Sequence, residues 1–251
     1  MLIERNRPEY AATINPRGVI YHALKRSNSL LIILFLALLV PLGITRAQSQ
    51  PLADATIVLD PGHGGDDWGV DPAGSGLREK EVVIDISRRL QALLQADGAT
   101  VFITRDTDRF VSLPARVRYA NALLFRPDNQ SDHGRLISVH INSNRNQPNL
   151  RRVEVLVDPE AEPPYTFAEN MASHLLTATG GTVGYRDAGY PDGVHPSDVA
   201  PVRWTYPRGL NVLTESAFLS NATQATQLKD PAFLDAIARA HRDSLRDELG
   251  R

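Results

Sequence analysis

The sequence contains no cysteine at any of its 251 positions. That excludes disulfides, thiolate metal sites and a cysteine nucleophile. It has no marked excess of charge: 27 Lys and Arg against 29 Asp and Glu give a formal net charge of −2, which offers no electrostatic case for nucleic acid. No internal repeat or low-complexity tract stands out. No apolar run reaches the about 20 residues that a membrane-spanning helix needs. Leu30–Leu42 has thirteen, and Pro41 interrupts it near its end. What remains is ordinary for a globular protein, 42% hydrophobic and 22% charged residues, and long enough for one α/β domain with a sizeable core.

The thirteen-residue run follows a basic start. Residues 1–28 carry Arg5, Arg7, Arg17, Lys25 and Arg26 against Glu4 and Glu9, a net +3. Thr45-Arg46-Ala47 then places small residues at alternate positions. A positive start, a short apolar core and a small-x-small site read as a secretory signal peptide over residues 1–47. An uncleaved signal anchor is the alternative, and only then would the chain meet a membrane. Both readings put the remainder outside the cytoplasmic membrane, periplasmic or extracellular. Residues 48–55 read as a polar linker, and 56–251 as the catalytic domain.

Thr56-Ile57-Val58-Leu59 is short, apolar and β-branched, as a buried strand is. Asp60-Pro61-Gly62 should stop it, leaving His63 just past the strand end. Glu79 opens a helix whose apolar stripe is Val83, Ile86, Leu90, Leu93 and Leu94, with Gly98 at C′. Thr100–Thr104 reads as a strand, and Ser112 as the cap of a helix bearing Leu113, Val117, Ala120 and Leu124. Arg105, Asp108 and Arg116 read as a structural ion-pair set at that connection.

Leu136–Val139 is a further apolar strand, ending at His140. Val153–Val157 follows as a strand and Phe167–Thr177 as a helix, with His174 packed or solvated. Residues 180–209 are rich in Gly, Pro, Asp and Tyr and lack periodicity. They read as a long functional or flexible loop that contains a solvated His195. Asn211–Thr214 forms the last strand and delivers Glu215. Asp230-Pro231 opens a final helix in which His241 packs. Strands alternating with helices predict a three-layer α/β domain with a mostly parallel sheet.

Two strands that end in histidine, and one helix that begins in glutamate, can converge on an ion at the carboxyl edge of such a sheet. Two histidines and one carboxylate, with the fourth position left open, is a catalytic zinc set. Singly, each residue could be ordinary: a capping histidine, a satisfied histidine, a solvated glutamate. Spacing alone reaches no further than a zinc hydrolase.

The motifs reach further. IVLDPGHGGDDWG, GLREKEV, VFITRDTDRFVSLPARVRYAN, LISVHINS and VLTESAFLSN occur in that order. They resemble the successive motifs of the zinc-dependent N-acetylmuramoyl-L-alanine amidases, the type 3 peptidoglycan amidase family, over about 56–249. The resemblance implies a phosphorylase/hydrolase-like α/β fold. It implies one zinc ion held by His63, Glu79 and His140, Glu215 as the catalytic glutamate, and peptidoglycan as substrate. The reaction it implies is hydrolysis of the amide between N-acetylmuramic acid and L-alanine. A zinc peptidase acting on stem peptides and a non-catalytic wall-binding module are the rival classes, and an activator protein would be an unidentified partner. Two departures stand out: Arg151 and Arg152 where the family usually has a glycine, and Ala217 where it usually has glycine. In relatives an inhibitory helix can occupy a stretch comparable to 180–209. No amphipathic pattern appears there in this sequence, which predicts an open groove.

Overall fold

Strand β1, Thr56–Pro61, lies inside the sheet because its residues face two different cores. Ile57 and Leu59 pack into the larger core, whereas Val58 turns to a smaller one with Ala120, Leu124 and Leu136. The computed structural model describes residues 50–70, 76–125, 133–184, 187–207 and 209–249. The expected signal segment and residues 48–49 of the linker lie outside them, and the rest of that linker is not free: Leu52 and Ala55 pack into the larger core. No helix among the described residues is long and apolar enough to cross a membrane.

The elements after β1 are α1 (Glu79–Ala96), β2 (Thr100–Ile103), α2 (Leu113–Leu124), β3 (Gly134–Asn142), β4 (Arg152–Val157) and α3 (Thr166–Thr179). They continue with β5 (Thr182–Val183), β6 (Val194–Pro196), α4 (Ala200–Arg203), β7 (Val212–Phe218), α5 (Ala222–Gln227) and α6 (Pro231–Glu248). The sheet order is β2-β1-β3-β7-β4-β5, with β6 also paired to β4. Every pairing is parallel except β4 with β7. Helices α1, α3 and α6 pack on one face, and α2 and α4 on the other, giving the three expected layers. The second face is only partly covered. Over β3, β7 and β4 only the four-residue α4 lies against it, and the site sits beside that helix.

Three local expectations need correction. β1 does not stop before Pro61: that residue pairs in parallel with Val139, where its missing N–H is tolerated. Residues 180–209 are not a loop throughout, since β5 and β6 add to β4 and α4 follows. His195 is not solvated. It sits in β6, 2% exposed, with Nδ1 2.7 Å from Asp187 Oδ2. Paired through backbone to β4, such short strands need no alternation of their own.

His241 and His174 are placed as the sequence suggests. His241 is fully buried on α6, with Nε2 2.9 Å from Thr214 Oγ1 and Nδ1 2.8 Å from the Ile237 carbonyl. Burial lowers its pKa to about 4, so it packs as a neutral ring. His174 is partly exposed and pairs with Asp247 at 2.7 Å.

Candidate active site

Register brings the polar residues together. His140 on β3 is aligned with Glu215 on β7, and Glu215 with Glu154 on β4. Side chains alternate along a strand, so the apolar neighbours Val139, Val155 and Val212 fill the larger core. His140 and Glu215 both line the open cleft on the other face, of about 430 Å³, as do Leu156 and Leu213. Glu215 and His140 are not at strand ends, as expected, but within longer strands.

Glu79 stands at the first position of α1, where the helix dipole favours a carboxylate. Its Oε2 accepts the Val70 N–H at 3.0 Å, and its Oε1 the Ile141 N–H at 3.1 Å. His63 Nε2 lies 3.2 Å from Glu79 Oε2, and His140 Nδ1 lies 2.9 Å from Glu79 Oε1. The three donor atoms fall within 4.8 Å of one another, the spacing of one metal ion's shell. Burial would raise the Glu79 pKa, but the two histidines outweigh it and hold it at about 2. Burial likewise opposes a charge on His63, yet hydrogen bonds and charge from Glu79 and Asp67 raise its pKa.

The backbone around this cluster is closely built. His63 is the one described non-glycine residue with positive φ, +59°, a conformation that must be held by its surroundings. Asp67 Oδ1 lies 2.9 Å from its Nδ1 and so fixes the orientation of the ring. Arg116 donates to the His63 carbonyl at 2.6 Å and to Asp60 at 2.7 Å. Arg105 is fully buried and donates to the carbonyls of Pro61, Gly62 and Lys80. Burial, then the neighbouring Arg116 charge, lowers Arg105 to about 10. Asp108 pairs with Lys80 at 2.7 Å. Arg105, Asp108 and Arg116 are structural, as expected, but their polar partners are Asp60, Lys80 and backbone carbonyls rather than one another. They brace the His63 loop against α1 and α2.

Gly62 has no room for a side chain, because a Cβ there would come 2.2–2.6 Å from the His140 ring. Gly62→Ala should therefore push His140 aside while the sheet survives. We expect metal affinity to fall about 10- to 100-fold, the usual cost of disturbing a ligand's support, measured by zinc titration on folded protein. Unchanged affinity would show that His140 does not hold the metal in this position.

Glu215 is half-buried. Its Oε2 is fully buried and has no hydrogen-bond partner among the described residues. Burial, and then the charges of Glu79 and Glu154, push its pKa well above the ordinary carboxylate range. Such a carboxyl is suited to holding and releasing a proton. Glu154 in turn accepts from Asn142 Nδ2 at 2.9 Å. Sequence reasoning missed Glu154, Asp67 and Asp60. The alternation of Val153, Val155 and Val157 around Glu154 was the available signal that it faces away from the core. Of the two departures, Arg151 reaches the Gly180 carbonyl, tying β4 to the end of α3, and Ala217 is fully buried.

A family model described as N-acetylmuramoyl-L-alanine amidase, Amidase_3, matches residues 57–247. The chain belongs to this amidase family. It is 33% identical over 201 residues to N-acetylmuramoyl-L-alanine amidase LytC of Bacillus subtilis, an alignment covering 80% of this chain and 36% of LytC. It thus spans about a third of that relative's length. Among solved structures it resembles the amidase AmiC2 of Nostoc punctiforme, with TM-score 0.66 and 26% identity over 80% of this chain and 99% of that one. It also resembles the catalytic domain of the amidase CwlV from Bacillus (Paenibacillus) polymyxa, with TM-score 0.65, 25% identity and coverage of 78% and 98%. The three-layer fold with its mostly parallel sheet is that of these amidase domains.

Proposed function

We propose that this chain hydrolyses the amide between N-acetylmuramic acid and the first L-alanine of peptidoglycan stem peptides, using one zinc ion held by His63, Glu79 and His140. The observation that carries this reading is the convergence of those three donors beside Glu215, in one open cleft, within an amidase-family domain. The donor set fits the ion: two imidazoles and one carboxylate, with Asp67 behind His63. When bound, zinc would supply Lewis acidity for the amide carbonyl and the attacking water.

The remaining work belongs to the protein. Glu215 faces the same cleft one strand from His140, where it takes a proton from water and later gives it to the departing amine. Leu156 and Leu213 line the cleft and reduce competing solvent beside the carboxyl. The substrate lies outside the cytoplasmic membrane, in keeping with an N-terminal export signal over residues 1–47, cleaved or retained as an anchor, before the domain beginning near residue 56.

End-group analysis tests the reaction. Purified peptidoglycan treated with the zinc-loaded protein should gain new amino termini, all of them alanine. New termini from within the stem would instead make it a peptidase. Tight binding to the wall with no new terminus would make it a binding module.

A further inference from the structure

An apolar pocket of about 270 Å³ opens directly beside His63 and His140, walled by Phe110, Leu113, Val199 and Pro201. Phe110 and Leu113 are 62% and 54% exposed, far more than a core role requires. Asp60, Asp67 and Arg116 supply polar groups on its metal-cluster side. Its α4 wall runs one turn on to Trp204, 51% exposed. Asn121 of α2 then fastens the next stretch, donating to the Trp204 carbonyl at 2.9 Å and accepting from the Tyr206 N–H at 2.8 Å. Tyr206, 44% exposed, meets Phe125, 71% exposed, edge-on at 5.8 Å. Helix α2 thus carries apolar surface at both ends, from Leu113 beside the pocket to Phe125 just beyond its last turn. Twelve residues of α-helix advance about 18 Å.

We infer that this strip, from the pocket through Trp204 to Tyr206 and Phe125, is a platform for the glycan strand of peptidoglycan. The inference rests on the proposed amidase reaction and concerns which part of the substrate lies on which wall. The scissile carbonyl belongs to the lactyl group of a muramyl sugar, so one sugar ring must sit within a few bonds of the metal cluster. The pocket beside His63 and His140 is the size of a single sugar residue. Pyranose rings present faces of C–H groups, which pack on aromatic rings while their hydroxyls stay in water. Aromatic side chains that keep one side wet suit that contact. A strip of about 18 Å accommodates roughly three further sugars in extended chain, at the rise of a few ångströms per ring. Exposed apolar surface continuous with a reaction cleft marks a binding site.

The chain has two tryptophans, Trp68 and Trp204. In the full-length Trp68→Phe protein, Trp204 is therefore the only tryptophan reporter. Titration with peptide-free glycan chains of about eight sugars should give a saturable change in its fluorescence. Tyr206→Ala or Phe125→Ala in that background should weaken the titration about tenfold, as expected for a buried aromatic contact. Phosphatidylcholine vesicles should leave the signal unchanged. No response to glycan, or a response to vesicles alone, overturns the platform. Turnover supplies a second arm. Trp204→Ala should lose about tenfold in kcat/KM on glycan-linked stem peptides and none on a single muramyl peptide. Equal loss on both contradicts the assignment. A wild-type protein that cleaves neither would sink the amidase reading, and the glycan titration would still decide the platform.

Discussion

Glu215→Gln is expected to fold, bind zinc as tightly as the wild type, and lose about 100- to 10,000-fold in turnover on peptidoglycan, the usual contribution of a general acid–base group. Glutamine keeps the shape of the side chain and can still hydrogen-bond, but it cannot carry a proton from water to the leaving amine. The wild-type carboxyl faces the cleft beside His140, and one of its oxygens is buried without a partner among the described residues. It is not one of the three clustered donors. Zinc content and turnover therefore separate the roles. Loss of zinc with activity would move Glu215 into the metal shell, and near-normal turnover would end its proposed role.

Asp60→Ala should have the largest effect on stability. Asp60 is fully buried and accepts from Arg116 at 2.7 Å, Thr104 at 2.6 Å and Ser138 at 2.9 Å. Alanine would leave the Arg116 guanidinium buried without its carboxylate. Removing one member of a buried pair typically costs about 3–5 kcal/mol, because the remaining charge stays out of water. For a domain of this size that corresponds to a fall in Tm of roughly 6–20 °C. Arg116 also holds the His63 carbonyl, so zinc affinity should fall with stability. Thermal unfolding by circular dichroism measures the first effect and zinc titration the second. Asp60→Asn keeps two of the hydrogen bonds and should lie between. A Tm within about 2 °C of wild type for Asp60→Ala would mean that the network does not stabilise the fold.

The parts of the site that could be read from sequence are those encoded locally. A β-branched run followed by Pro-Gly-His, or a glutamate opening an apolar helical stripe, carries its own punctuation. His63, Glu79 and His140 were placed this way, and the structure brings them within reach of one ion. Glu154 could not be placed so. Its closeness to Glu215 is a cross-strand register between residues 61 positions apart, and no local pattern specifies antiparallel pairing of β4 with β7. Residues 180–209 were unreadable for a related reason. β5 and β6 are two and three residues long and exist because β4 offers them a partner. His195 belongs with them: the sequence shows a histidine among turn-formers, whereas pairing with β4 buries it. Arg105 and Arg116 were recognised as structural, but their acceptors are largely carbonyls of the His63 loop, and no residue pattern reveals those.

The most direct test of the account is mass spectrometry of purified peptidoglycan digested by one preparation in three states: zinc-loaded, stripped by chelation, and reloaded with zinc. The zinc-loaded protein should release intact stem peptides that begin with L-alanine, the stripped protein none, and the reloaded protein the same set again. Release of those peptides by the stripped protein, or products cut within the stem in any state, would contradict it.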